Sequence, residues 1–255
     1  MAQALEKVRI SGPPRLWIRH QSGAKRCPGC HYQILEHAVC TVIDEMGLEG
    51  EAMIITGVGC CSRTFLVTDF DAMFVPHGRA PDMATAVKRI RPDLTVFTWQ
   101  GDGDCISIGT ESLIAAANRA EKFTVLMINN ANYGTTGGQA APTTLLGQVT
   151  TTTPLARTPD TGYPAHVAEL LSGIRGVVYS ARTSLHTPAN YQKTKGYLRK
   201  AFEKQKQGLG LSFVEVISAC PVNWHVTPVQ ALKFIEEKMI AEYPLGEFKN
   251  VDKIA

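Results

Sequence analysis

Leu94-Thr-Val-Phe-Thr-Trp-Gln-Gly-Asp-Gly-Asp104, followed by a helical stretch and then by Phe123-Thr-Val-Leu-Met-Ile-Asn-Asn130, decides the fold. Residues 94–99 form an apolar run of strand length that stops at a glycine turn. Residues 108–120 repeat apolar side chains at helical spacing, and residues 123–128 read as the next strand. A strand, helix, strand unit within one sheet is parallel and right-handed, so both strands bring their carboxyl ends to one edge. Open α/β sheets bind ligands at that edge. Asp102 and, 28 positions further on, Asn130 therefore end neighbouring strands. Both offer hard oxygen donors of the kind Mg²⁺ takes, with phosphate oxygens and water completing the octahedron. Gly101 and Gly103 let backbone approach a diphosphate closely. The competing reading is a pair of polar loops in an ordinary α/β protein.

Length and composition fit one large α/β domain. A chain of 255 residues buries roughly three quarters of its unfolded surface, and 22 glycines with 14 prolines suit a loop-rich enzyme. The 26 basic and 23 acidic side chains are scattered, which gives no argument for nucleic acid. Apolar runs stay far below the ~20 residues of a membrane span, and residues 1–7 open no apolar signal segment, so the expected compartment is the cytoplasm.

Seven cysteines without a secretory signal point to thiolate or metal chemistry rather than disulfides. Cys27-Pro-Gly-Cys30 is a CxxC whose Pro-Gly suits a tight turn. Cys60 follows a predicted strand over 51–58, and Cys220 one over 211–218, so four thiolates can converge beside Asp102. On ligand type alone, zinc, a redox dithiol and an iron–sulfur cluster all remain open. Cys40, inside a helical pattern over 34–46, and Cys105 read as buried free thiols. His31, beside the CxxC, reads either as a hydrogen-bond donor to a metal-bound sulfur or as a turn residue.

Gly101-Asp102-Gly103 with Asn129-Asn130 resembles the thiamine diphosphate-binding motif, in which the aspartate and the second asparagine hold the metal. The third ligand of that motif is a main-chain carbonyl, here that of Asn132. Cys27-Pro-Gly-Cys30, Gly57-Val-Gly-Cys60, His77-Gly-Arg-Ala80, Tyr133-Gly-Thr-Thr-Gly-Gly-Gln139 and Ser218-Ala-Cys-Pro221 occur in the order found in β subunits of 2-oxoacid:ferredoxin oxidoreductases. This resemblance runs from about residue 25 to about residue 245.

The resemblance implies a thiamine diphosphate-binding fold, an α/β doubly wound and mostly parallel sheet with helices on both faces. It implies thiamine diphosphate with Mg²⁺ on Asp102, Asn130 and Asn132, and a [4Fe–4S] cluster on Cys27, Cys30, Cys60 and Cys220. Around the cofactor it puts Val58, Gly59, Cys60, Cys61, His77, Gly78, Gly101, Gly103, Asp104, Tyr133, Gly134, Thr135 and Thr136. Cys61 departs from the small residue the family usually carries there. The diphosphate cradle would draw on the amides of Gly134 and Thr135 and the hydroxyl of Thr136. Arg63 is the candidate for the substrate carboxylate.

The implied activity is oxidative decarboxylation of a 2-oxoacid to acyl-CoA and CO₂, with coenzyme A as co-substrate and electrons leaving through the cluster to ferredoxin. The glutamate that activates the cofactor belongs to a separate pyrimidine-binding domain in this superfamily, and the chain shows no second copy of the pattern. An α subunit, with γ and ferredoxin-like δ subunits or domains, is therefore expected. The organisation read from the chain is an arm over 1–25 that packs on that partner, a binding domain over 26–225, and a C-terminal helix and tail over 226–255. Thr135 stands where oxoglutarate-type relatives often carry a larger apolar side chain, and residues 212–224 look most like the branched-chain, 2-oxoisovalerate type. Two rivals are a non-redox thiamine decarboxylase or synthase subunit, which needs no thiolate quartet, and a non-catalytic zinc-bearing assembly subunit, which needs no Asp102 and Asn130 pair.

Overall fold

The computed structural model describes residues 12–17 and 26–254. Its strands are β1 (Ala52–Thr56), β2 (Asp71–Phe74), β3 (Thr95–Gly101), β4 (Thr124–Asn129), β5 (Val177–Ser184), β6 (Leu211–Ile217) and β7 (Gly246–Asn250). They form one sheet in the order β2-β1-β3-β4-β6-β5-β7. Every pairing is parallel except that of β7 on β5. The doubly wound, mostly parallel sheet that the family resemblance implied is therefore present.

Successive side chains of a strand point to opposite faces, and the two faces carry separate cores. Phe97, Trp99, Leu126, Ile128, Val214 and Val216 pack against α1 (Tyr32–Met46) and α5 (Pro188–Lys206). Their sequence neighbours Val96, Val125, Met127 and Phe213 pack against α2 (Ala80–Ile90), α3 (Thr110–Asn118) and α4 (Val167–Ser172). Strands buried on both faces read as continuous apolar runs, which is why they were visible in the sequence. Helix α1 stops where Gly47 turns left-handed at φ +63°, its amide donating back to the last turn. Helix α5 starts at Thr187, whose hydroxyl accepts from the Asn190 amide, with Pro188 at the first helical position.

A third small core lies over the carboxyl edge, where Ala131, Leu145, Ile217 and Ala219 meet Ala231, Ile235, Met239 and Tyr243. After the single turn α6 (Pro221–Trp224), the expected helix over 226–243 runs as α7 (Pro228–Phe234), a π turn (Ile235–Met239) and α8 (Ile240–Glu242). A Thr227/Gln230 capping box opens it. The tail differs from expectation, because it returns as strand β7. Gly246-Glu-Phe-Lys-Asn250 lacks a strong apolar alternation, and polar contacts hold this edge: Glu247 accepts from the Tyr179 hydroxyl at 2.7 Å and from Lys200 at 2.9 Å.

Within the described part of the expected arm, residues 15–17 contact the body of this chain. Trp17 pairs with Thr68, the Asp69 amide donates to Leu16 at 2.8 Å, and the Arg15 amide donates to Asp44 at 2.6 Å. The Trp17 ring, edge-on to His37 at 5.0 Å, gives the segment an apolar anchor on α1. The rest of the arm lies outside the described residues.

Candidate active site

Because β1, β3, β4 and β6 are adjacent and parallel, the segments after Thr56, Gly101, Asn129 and Ile217 all emerge at one edge. Asp102 is 1% exposed there. Its Oδ1 accepts from the Gly103 amide at 2.9 Å, and its Oδ2 accepts from the Thr143 hydroxyl. Burial pushes the Asp102 carboxyl up to about 7, although these hydrogen bonds and one from Ala131 oppose the shift. Beside it the side-chain oxygens of Asn130 and Asn132 are buried without a partner among the described residues. The main-chain carbonyl of Asn130 is already used, accepting from Asn132 Nδ2 at 3.0 Å and from the Trp224 indole at 3.1 Å. Orphaned buried acceptors are costly. Two of them next to a desolvated carboxylate fit a hard divalent cation. Asn129 plays another part: its amide donates to Glu215 at 2.7 Å and its oxygen accepts from Ala131. Glu215 in turn pairs with Arg182, both side chains fully buried, at 2.9 Å.

The glycines divide by cause. A Cβ on Gly103 would stand 2.2 Å from the Tyr133 ring, so that glycine is required by this chain's own packing. At Gly101 a Cβ would meet only the Tyr32 hydroxyl at 3.5 Å, leaving space above the backbone. Gly78, at φ +78°, packs its backbone on Ile108 and Gly109 and does not line the cleft.

His77 lies in the loop between β2 and α2 with its side chain 31% exposed, and its Nδ1 stands against Oδ1 of the buried Asp104. The same carboxylate accepts from the Gly78 amide at 2.8 Å and from Gln100 Nε2 at 2.6 Å. Both Asp104 oxygens are thus engaged by this chain. Gly57 completes the fit, since a Cβ there would fall 2.3 Å from the carboxylate.

The thiols gather on the other flank. Cys30 is pushed up to about 12, first by burial and further by Cys220 and Cys60, while Arg26 opposes. Cys220 is raised by burial and by Cys60. These three sulfurs therefore share one neighbourhood, in which metal coordination would favour the thiolates. Cys27 is exposed at the other end of the turn, which closes through the Cys30 amide on the Cys27 carbonyl at 3.0 Å, with Gly29 at φ +74°. Among the described residues no group of three or more His, Cys, Asp or Glu side chains is already drawn in to metal-ligand geometry. Cys61 is buried beneath the cleft, donates to the Val58 carbonyl at 3.4 Å and is pushed up to about 12 by burial. Cys40 and Cys105 are fully buried, as expected of free thiols. His31 stands at the N-cap of α1, lowered to about 4 by burial, with its Nδ1 buried and without a partner among the described residues.

One cleft joins the two flanks. Val58, Gly59, Cys60, Cys61, His77, Gly101, Asp102, Gly103, Asp104, Asn130, Asn132, Tyr133, Gly134, Thr135 and Thr136 all line it, together with Tyr32. The buried Tyr32 phenol is held well above its usual range by burial and by its proximity to Cys61, Cys60, Asp102 and Cys30, so it lies near members of both the oxygen and the sulfur sets. Arg63 lies outside the lining, exposed on the 3₁₀ turn Cys60–Leu66. The Thr136 hydroxyl donates to Gln139 at 2.6 Å rather than standing free for a ligand.

Several contributors were not read from sequence. Thr143 orients Asp102, the Thr135 hydroxyl donates to Cys60 Sγ at 3.0 Å, and Asn223 donates to Cys220 Sγ at 3.5 Å and to the Gly134 carbonyl at 2.8 Å. Arg26 donates to the Cys60 carbonyl at 2.5 Å and pairs with the buried Glu36, tying the CxxC turn to the Cys60 turn. Asn223, three residues after Cys220, carried a usable signal; Thr143, far along a loop, carried none.

This edge, a buried oxygen set bridged by a glycine-rich cleft to clustered thiols, defines a diphosphate-cofactor enzyme domain. Residues 57–216 match the family described as thiamine pyrophosphate enzyme, C-terminal TPP binding domain. The chain belongs to that family, among the β subunits of 2-oxoacid:ferredoxin oxidoreductases. It is 41% identical, over 88% of its length, to the ketoisovalerate oxidoreductase subunit VorA of Methanothermobacter thermautotrophicus, covering 47% of that protein. It is 31% identical to the 2-oxoglutarate synthase subunit KorB of Archaeoglobus fulgidus over 92% of this chain and 81% of that one. The chain thus spans about half the length of the VorA relatives it matches. Its fold is shared with a 2-oxoglutarate:ferredoxin oxidoreductase of Magnetococcus marinus, with a TM-score of 0.75 and 24% identity over 98% of this chain and 89% of the other.

Proposed function

We propose that this chain is the thiamine diphosphate-binding, catalytic subunit of a 2-oxoacid:ferredoxin oxidoreductase that converts a 2-oxoacid and coenzyme A to acyl-CoA and CO₂. The observation that carries this reading is the single cleft lined by Asp102, Asn130 and Asn132 together with Tyr32 and Cys60, with Cys60 close enough to Cys30 and Cys220 to push both of their thiols up. A non-redox thiamine enzyme has no use for the sulfur half, and a structural zinc subunit has no use for the oxygen half.

Asp102, the Asn130 side chain and the main-chain carbonyl of Asn132 would hold Mg²⁺, and the backbone at Gly101 and along residues 134–136 would cradle the diphosphate. Cys27, Cys30, Cys60 and Cys220 hold a [4Fe–4S] cluster. When bound, thiamine diphosphate supplies a carbon nucleophile and electron sink, and the cluster takes electrons singly. The chain's own residues would bind and orient these groups. An α subunit supplies the activating glutamate and closes the site. Further γ and ferredoxin-like δ subunits would relay electrons to ferredoxin in the cytoplasm.

A branched-chain substrate, 2-oxoisovalerate, is favoured over 2-oxoglutarate. Relatives named for ketoisovalerate reach 41% identity, against 31–32% for those named for 2-oxoglutarate. Arg63 contacts the substrate carboxylate only if the partner subunit extends the cleft over it. Anaerobic co-expression with the partner subunits, followed by ferredoxin reduction assays on 2-oxoisovalerate, 2-oxoglutarate and pyruvate, tests the reading. It predicts reduction that requires both coenzyme A and thiamine diphosphate and is fastest with 2-oxoisovalerate. Decarboxylation without electron transfer would overturn it.

A further inference from the structure

His77 and Asp104 form a pair that cofactor anchoring does not explain. Asp104 is 2% exposed and is built in from four sides: Gly57 leaves room for it, Gln100 and Gly78 donate to it, and His77 Nδ1 stands against it. The loop carrying His77 is locked as well, since Gly78 and Gly109 touch backbone to backbone. A surface histidine with no task would not call for a buried carboxylate fixed by three elements. The other titratable groups lining the cleft are committed or protonated: Asp102 to its hydrogen bonds and the metal set, Cys60 to the sulfur set, and Tyr32, Tyr133 and Cys61 held above their usual ranges by burial.

We propose that His77 is the proton-transfer residue of this cleft and that Asp104 is its positioning residue, holding the ring proton on Nδ1 so that Nε2 is the working nitrogen. This rests on the 2-oxoacid reading above. A base whose second nitrogen is fixed by a carboxylate keeps one tautomer and one orientation, and the imidazolium it forms is neutralised on the spot. In the reaction Nε2 takes a proton from solvent water and gives that proton to the 2-oxo oxygen as the adjoining carbon is attacked. When the carbonyl re-forms, the proton returns to Nε2 and from there to solvent, which restores the neutral ring with no proton gained or lost over the cycle.

The test uses the full chain with ¹⁵N-labelled histidine, together with the complete complex for kinetics. The His77 signal, assigned by its loss in His77→Gln, should show protonated Nδ1 and bare Nε2. In Asp104→Ala it should move to the Nε2-protonated form usual for free histidine. Steady-state kinetics of His77→Gln and Asp104→Ala should show kcat falling about 10²-fold or more with KM changed less than about threefold, the range of a lost acid–base group. Calorimetry of Mg²⁺ with thiamine diphosphate should find both variants close to wild type.

Asp104→Asn keeps the fold within reach if Asp104→Ala unfolds. Gln100 Oε1 is buried without a partner and can turn to accept from the new amide, leaving Oδ1 for His77; the tautomer should be kept and part of the rate restored. An unchanged tautomer in Asp104→Ala, or an unchanged kcat in His77→Gln, overturns the assignment. Failure of wild type to bind Mg²⁺ and thiamine diphosphate overturns instead the reading on which it rests.

Discussion

Magnesium binding should weaken sharply below neutral pH, because the cation and a proton compete for Asp102. Its carboxyl lies at about 7 in the folded chain and at 3.8 in the ordinary state. At pH 8 about nine in ten Asp102 side chains are ionised and at pH 6 about one in ten, so Mg²⁺ affinity should fall about tenfold between them. The sign for stability follows from the same shift. Between about 4 and about 7 the folded, metal-free chain keeps a proton that the unfolded chain has released. Its stability therefore declines as pH rises through that window, by up to about 4 kcal/mol. Metal reverses the trend, and ligand at a hundredfold excess over Kd adds about 2.7 kcal/mol, or roughly 5–10 °C for a chain of this size. Thermal unfolding with and without Mg²⁺ and thiamine diphosphate, at pH 6 and pH 8, reads all of this. Asp102→Asn, which keeps the shape and removes the charge, should lose both the metal shift and its pH slope. A wild-type metal shift equal at the two pH values, or one retained in Asp102→Asn, would refute the reasoning.

Thr143→Val removes the hydroxyl that fixes Asp102 Oδ2 and should weaken Mn²⁺ binding about 10–100-fold by electron paramagnetic resonance titration, with Thr143→Ser close to wild type. Arg182→Met leaves Glu215 buried without its cation and should cost about 3–5 kcal/mol in urea unfolding. Gly103→Ala drives a methyl into the Tyr133 ring, with an expected overpacking cost of about 1–3 kcal/mol and weaker cofactor binding by calorimetry.

The sheet was legible because its strands are buried on both faces. Runs such as Thr124–Asn129 and Leu211–Ile217 are buried from end to end and mostly apolar, and Asn130 and Cys220 follow them within three positions. Position in a parallel sheet then carried Asp102, Asn130, Cys60 and Cys220 to one edge with no tertiary information. What stayed hidden depends on contacts remote in sequence. Thr143 reaches Asp102 across 41 positions and Arg26 reaches the Cys60 carbonyl across 34, and neither has a local pattern to betray it. Strand β7 was missed because polar side chains rather than alternating apolar ones hold it to the edge. The role of Gly103 was legible in kind but not in cause, because only the folded chain shows Tyr133 filling the space its Cβ would take. Asp104 lines the cleft, as the resemblance implied, but the partners of its carboxylate, Gly78, Gln100 and His77, had no local pattern to announce them.

The joining of a thiamine half to a sulfur half is tested most directly by electron paramagnetic resonance of the anaerobic, dithionite-reduced complex, comparing wild type with Cys220→Ser and Cys40→Ser. A reduced [4Fe–4S] signal should be lost from Cys220→Ser and kept in Cys40→Ser, whose thiol is buried within α1. The difference between variants isolates this site from any clusters carried by partner subunits. Identical spectra from all three proteins, with zinc found in place of iron in this chain, would contradict the account.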